Sequence, residues 1–341
     1  MNNGGTNNLN QQLFEAIKKR EKHKGGDWKS AAQQLLGIGR TALYNRINGS
    51  TPLLLEEAVL LAQKYGISLD SLLLDKKFII ARHSAQAFDP KKGVEDYLHL
   101  IAEQFKMKEN LVGATFYYAS NDLPVFYYAL APELLAFKIF AWGIAMPHSE
   151  KQRQQKFSLQ NFSRLKPEFS VIHEALREYG NYPSIEIWPA KILDNTLNQL
   201  EFYARTHRFK NLDDIQRLYQ AFEELITKIF NQYITNGQKP LAEGPDKPQN
   251  LTVYYNEIIQ INTILLATAP HKSQTFCIFD SPNFLMSEDP WLGKYTLLWF
   301  KYIISSSSQL SKINMGLRNE VLAKFIRDIQ NSKEKVLKWL E

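Results

Sequence analysis

Apolar positions over the first 75 residues come in short helical bursts, each ended by a glycine or a polar break. Leu13, Ala16, Ile17 and Phe14 make the stripe of a first helix predicted from about Leu9 to His23. Lys18, Lys19, Arg20, Lys22 and Lys24 crowd its end, where cations suit the helix dipole. Gly25-Gly26 breaks it, and Asp27 is a good N-cap for a second helix whose inward face is Ala31, Ala32, Leu35 and Leu36. Gly37 suits the positive φ that ends such a helix. A third helix is predicted from Gly39 or Arg40 to Asn48, with Gly49 as its terminator, and another apolar helix follows.

Beyond residue 92 the period stays helical for a long stretch. Val94 to Lys106, Leu134 to Trp142, Pro167 to Tyr179, Leu193 to Thr206 and Asp213 to Tyr233 read as helices; Val112 to Ala119 reads as an extended segment or a helix start. The pattern then changes. Leu251 to Ile258, Gln260 to Thr268 and Gln274 to Asp280 are rich in β-branched and aromatic residues and read as a small antiparallel meander. Two helices, Glu288 to Ile304 and Leu317 to Leu340, close the chain. The predicted organisation is a disordered polar tail (1–8), a helix-turn-helix unit (9–75), a basic linker (76–92) and a C-terminal region (93–341). That region divides into a helical part (93–235), the meander (251–280) and the closing helices (288–340).

Two short helices joined by a glycine-containing turn form a helix-turn-helix, whose second helix can lie in the DNA major groove. Rotated at about 100° per residue, the third helix puts Leu43 and Ile47 on one face, flanked by Ala42 and Arg46 on one side and Arg40 on the other. Thr41, Tyr44, Asn45 and Asn48 lie opposite. The apolar face must pack inward, which leaves the polar face for a partner. Asn45 or Asn48 suits bidentate contact to adenine, and Thr41 suits a thymine methyl or a phosphate. Tyr44 offers a hydroxyl and a ring, while Arg40, Arg46 and Lys29 suit the phosphates that position a reading helix. The plain alternative is a helical bundle whose polar face meets water.

The segment Tyr44-Asn45-Arg46-Ile47-Asn48-Gly49-Ser50-Thr51-Pro52-Leu53 resembles the lambda-repressor-like helix-turn-helix superfamily. It is most similar there to a group of long bacterial regulators with the pattern Tyr-Arg-Arg-Ile-x-Gly-x-x-Pro-Leu. Asn45 replaces an arginine of that pattern, and Leu54 stands where the group has a Ser or Thr cap, so Thr51-Pro52 could begin the fourth helix earlier. Tyr65-Gly66-Ile67-Ser68-Leu69-Asp70 fits too, with Gly66 closing helix four and Ser68 capping helix five. Further similar stretches are Asp122-Leu123-Pro124-Val125-Phe126, Phe137 to Trp142, Thr196 to Tyr203 and Tyr255-Asn256-Glu257-Ile258, so the resemblance spans most of the chain. It implies a mainly α protein: a five-helix bundle followed by a larger, mostly helical α+β domain carrying the small meander. It supplies an architecture and no ligand.

Composition narrows the function classes. With 341 residues and 44% hydrophobic content, a large core beyond the bundle is expected. A net charge of +6 is compatible with nucleic acid without identifying it. The single cysteine, Cys277, excludes an intramolecular disulfide and sits in an apolar run, as a small buried hydrophobe would. The histidines are scattered with no zinc-type spacing, so neither a metal nor a cofactor is expected. No phosphate-binding glycine loop, nucleophile elbow or paired catalytic carboxylate stands out, and no enzymatic activity is expected. The most membrane-like stretch, Leu123 to Met146, is interrupted by Pro124, Pro132, Glu133 and Lys138, so a cytoplasmic protein is expected.

The expected function is therefore a sequence-specific transcriptional regulator on double-stranded DNA, a homodimer on a palindromic operator, with the C-terminal region dimerising or sensing. Two alternatives stay open. One is a protein-interaction adaptor that uses the same bundle. The other is a regulator gated by an unidentified small-molecule effector, with Phe116, Tyr117, Tyr118, Phe126, Tyr127, Tyr128 and Trp142 lining its pocket.

Overall fold

Caps and glycines set the helix ends of the N-terminal segment, and one apolar cluster draws the helices together. The computed structural model describes residues 4–21, 27–69, 72, 79–83, 113–145, 154–162, 173–174, 177–240, 250–259, 262–270, 272–280 and 283–340. Its contacts divide the chain into two units, Met1–Ile80 and Ala81–Glu341. Four helices are described in the first unit: α1 (Gly4–Glu21), α2 (Trp28–Leu36), α3 (Arg40–Ile47) and α4 (Leu55–Tyr65). The first begins five residues ahead of its expected start, inside what the sequence suggests is a disordered tail. Of the expected fifth helix after Ser68, only Leu69, in a bend, and Leu72, which is helical, are described. The basic linker and the helix expected at Val94 to Lys106 also lie largely or wholly outside them.

Leu13, Phe14 and Ile17 of α1 meet Ala32, Leu43, Leu61 and Tyr65 in the buried centre of this unit. Two side-chain hydrogen bonds reinforce the packing. Tyr65 Oη donates to Trp28 O at 3.0 Å, and Arg20 Nη1 donates to Gly66 O at 2.6 Å. The second places a cation on the carbonyl end of α4, where the dipole favours it. Gly66 has φ 61°, the left-handed conformation that closes a helix at low cost only for glycine.

The second unit is built on one mixed sheet. Its strands are β1 (Arg82–His83), β2 (Thr115–Ala119), β3 (Ser184–Pro189), β4 (Leu251–Asn256), β5 (Ile264–Ala269), β6 (Lys272–Asp280), β7 (Asn283–Ser287) and β8 (Ser308–Leu310). The order is β1-β7-β6-β5-β2-β3-β4-β8. Strands β2, β3 and β4 are parallel, and the other pairings are antiparallel. Parallel neighbours need long crossovers, and helices supply them. Between β2 and β3 come a 3₁₀ segment (Val125–Leu130), α5 (Pro132–Ala145) and α6 (Leu159–Phe162); between β3 and β4 come α7 (Asp194–Arg205) and α8 (Leu212–Lys228), the latter continuing as a π-helix over Ile229–Ile234. After β7 come α9 (Pro290–Ser305) and α10 (Met315–Leu340).

This corrects the expected meander. A meander exists, but it is β5-β6-β7, and Leu251–Asn256 instead pairs in parallel with β3. The stretch 93–235, expected to be mainly helical, contains β2, where the extended alternative for Val112 to Ala119 holds, and β3, which was not expected. Of the helix expected at Pro167 to Tyr179, only 173–174 and 177–179 are described, and both are helical.

Side-chain alternation divides the sheet between two cores. Phe116 and Tyr118 join the large core with Leu134 and Phe137 of α5, Leu200 of α7, Phe222 of α8 and Phe325 of α10. Ala119, Ile187 and Leu266 face the other way, onto Phe300 and Ile303 of α9. The aromatic residues proposed for an effector pocket therefore do not line one cavity. Phe116, Tyr118, Phe126, Tyr127 and Tyr128 are buried in the large core, whereas Tyr117 packs on the α9 side, its ring 5.5 Å from that of Phe300. Cys277 is half-buried on β6, and burial pushes its thiol pKa up. Among the described residues no helix is long and apolar enough to cross a membrane.

Candidate nucleic-acid interface

Asp27 starts the local structure that presents α3. Its carboxylate accepts from the backbone N–H of Lys29 at 3.1 Å and of Ser30 at 3.3 Å, and from Ser30 Oγ at 2.5 Å. The Ser30 bonds hold its pKa below the usual carboxylate value. At the other end of α2, Gly37 has φ 63°, and Ile38 N–H returns to Gln33 O at 3.1 Å. This left-handed closure satisfies α2's last carbonyls, and three residues, Gly37 to Gly39, turn the chain into α3.

On α3, Leu43 is fully buried and Ile47 packs beside it, as the periodicity predicts. Arg40, Thr41, Asn45 and Asn48 are exposed, while Tyr44 is half-buried. Asn48 is the C-cap of α3 rather than a residue within it. Lys29 comes across from the start of α2: its Nζ donates to Tyr44 Oη at 2.9 Å and lies 4.6 Å from the ring centroid. Arg40 Cζ lies 5.8 Å from the same ring. Hydrogen bonds from Lys29 and then Arg40 hold the Tyr44 pKa below that of a free phenol. With Lys29 donating, the Tyr44 hydroxyl proton is left for an outside acceptor.

Arg46 has a different place from the one its sequence position suggests. Its Nε and Nη2 grip Glu57 of α4 at 2.8 and 2.7 Å, and Nη1 reaches back to Ala42 O at 3.3 Å. The paired side chains are only 14% and 13% exposed. Glu57 Oε2 also accepts the backbone N–H of Leu54 at 3.1 Å, at the start of α4. The apolar cap Leu54 can offer no side-chain acceptor, and Glu57 fills part of that gap from within the helix. Helix α4 thus begins at Leu55, not at Pro52. Glu57 escapes a reading centred on α3; the only signal is its place three residues after the cap, as in a capping box. Its pKa is lowered, chiefly by the Arg46 hydrogen bonds.

The second unit holds two polar networks that the sequence did not announce. Asp122, just past β2, accepts from Leu123 N–H at 2.9 Å, Tyr128 Oη at 2.7 Å, Thr196 Oγ1 at 2.9 Å, Asn195 Nδ2 at 2.8 Å and Lys138 Nζ at 2.6 Å. Lys138 also donates to Gln199 at 3.0 Å. The network joins the end of β2 to α5 and the first turns of α7. Deeper inside, Glu186 of β3 accepts from Tyr179 Oη, Trp188 Nε1 and Tyr127 Oη at 2.7, 2.8 and 3.0 Å. Lys239 donates to Tyr179 O and to Ser184 Oγ at 2.5 and 2.7 Å. Burial raises the Glu186 pKa and lowers that of Lys239. These groups are enclosed by protein partners and tie elements together; no cluster of metal-ligating side chains occurs among the described residues.

The chain matches no protein-family model, no curated protein and no solved structure.

Proposed function

We propose that the chain is a sequence-specific DNA-binding regulator of transcription, working in the cytoplasm as a dimer on a palindromic operator. In this reading the first unit is a five-helix lambda-repressor-like bundle, its fifth helix following Ser68, and α3 enters the major groove. The larger unit dimerises or senses. The observation that carries it is the arrangement of α3: a buried Leu43, an exposed face of Thr41, Asn45 and Asn48, and the Lys29–Tyr44–Arg40 cluster beside it. Such a face has amides for base edges and cations with a free hydroxyl proton for phosphates. Arg46 is assigned to holding α3 against α4 instead of to phosphate.

The test is selection of bound genomic fragments by the purified full-length protein. The expected result is an inverted repeat with half-sites one helical turn apart, about 34 Å, bound with strong salt dependence. Failure to retain any DNA at low salt would sink the reading and favour an adaptor that binds protein through the same face.

A further inference from the structure

Helix α9 covers one face of the sheet and leaves an apolar stripe on its own outer side. Trp291, Tyr295, Leu298 and Tyr302 are 61, 55, 65 and 76% exposed. Their i, i+4, i+7, i+11 spacing places them in one row along the helix. The Trp291 and Tyr295 rings are stacked, 5.4 Å apart and 12° from parallel. The opposite side of α9 is fixed. Phe300 and Ile303 pack on β2, β3 and β5. Gly293 lies so close to β6 that a Cβ there would stand 1.9 Å from Ser273 Oγ. Asp289 caps the start through Leu292 N–H at 2.8 Å, and at the other end Asn256 Nδ2 donates to Ser307 Oγ at 2.9 Å. A rigid aromatic row of this kind loses little conformational entropy when covered.

We propose that this row is a two-fold self-association surface and that its occupant is α9 of a second copy of the chain. The spacing 4-3-4 reads the same in both directions. Two antiparallel α9 helices related by a two-fold axis would therefore match Trp291 with Tyr302 and Tyr295 with Leu298 at both ends at once, the isologous pairing of a closed dimer. The same register brings Lys294 of one copy beside Lys301 of the other on the exposed flank of the row, a repulsion at the solvent edge that salt screens. Size is consistent with the pairing. At about 200 Å² for each large aromatic side chain, roughly 500 Å² of the row lies in water. Two copies would cover about 1,000 Å², the lower bound of a specific interface. A contiguous apolar patch of that size is often functional. The surface supplies the dimer that the regulator reading calls for and rests on that reading for its purpose.

The experiment is sedimentation of the full chain at micromolar concentration without DNA, comparing the parent with the double variant Tyr295→Glu/Leu298→Glu. The expected result is a dimeric parent and a monomeric variant with the same melting temperature. A monomeric parent, including one whose row is covered by another protein or by its own N-terminal unit, overturns the proposal. So does a variant that stays dimeric. If the double variant fails to fold, Tyr295→Cys/Leu298→Cys in a Cys277→Ser background takes its place. Oxidation should give a covalent dimer there and none for Phe202→Cys, an exposed position on α7. Equal cross-linking of both, or of neither, also overturns the proposal. Because no DNA is present, loss of the dimer leaves fragment selection to judge α3 separately.

Discussion

Two ion pairs, one in each unit, contrast in what surrounds them. Arg46–Glu57 sits at the edge of the first unit, where each side chain keeps a little contact with water. Lys138–Asp122 lies beneath α7 in the second unit, with the lysine side chain only 1% exposed. The first pair fastens two short helices and compensates for a helix that has no side-chain cap. In the second, the carboxylate gathers donors from its own loop, the 3₁₀ segment, α5 and α7, so several elements meet on one atom group. A small unit with little core can keep its polar chemistry near the surface. A large one must satisfy whatever it encloses, because a buried charge without partners is costly.

The largest effect that would sharpen this contrast is expected from Asp122→Ala. It strands the Lys138 ammonium, and breaking a buried pair costs about 3–5 kcal/mol. Hydrogen exchange of the β2 and β3 amides should show the loss. The double replacement Asp122→Leu/Lys138→Met should lose less than the single one; if it loses more, the pair is worth more than its desolvation. Next comes Arg46→Ala, expected to destabilise the first unit by about 1.5–3 kcal/mol through lost charged hydrogen bonds, read from exchange of the α3 and α4 amides. An unchanged exchange pattern with weakened DNA binding would return Arg46 to the phosphate-contacting set. Asn45→Ala should leave stability within about 0.5 kcal/mol while reducing discrimination among selected DNA sites by about 1–3 kcal/mol. Equal selectivity in parent and variant would remove Asn45 from the reading face.

The smallest effect concerns acid. Glu57 has a lowered pKa in the folded state, so the unfolded chain binds its proton first as pH falls. The stabilisation is present above the ordinary carboxylate value and disappears as pH drops through the folded one. The difference in melting between parent and Glu57→Gln should therefore close in that acidic window. A constant difference down to lower pH would mean that the hydrogen-bond geometry, and not the charge, holds the helices.

Much of the first unit was legible because its signals are local. Asp27, Gly37 and Gly66 act on backbone within four residues, and Leu43 buries through helical period alone. The second unit was harder. Strand β3, Ser184 to Pro189, carries a glutamate at its centre and a proline at its end, which disguises it. Glu186 is tolerated there only because Tyr127, Tyr179 and Trp188 donate to it, and two of these lie outside the strand. Likewise, Leu251–Asn256 reads correctly as a strand, but its parallel partner is more than 60 residues earlier in sequence, and period cannot choose a partner.

By itself, then, the sequence determined where α2 starts and stops, where α4 closes, which face of α3 turns inward, and the mainly helical character of the rest. These follow from interactions between near neighbours. Only the tertiary structure decided that Arg46 belongs to Glu57, that Asp122 and Lys138 meet, that three strands run parallel, and that α9 keeps an aromatic row in water. Each of these depends on segments far apart in the chain approaching within a few ångströms, and hydrogen bonding and burial at that range are properties of the packed fold, not of any local pattern.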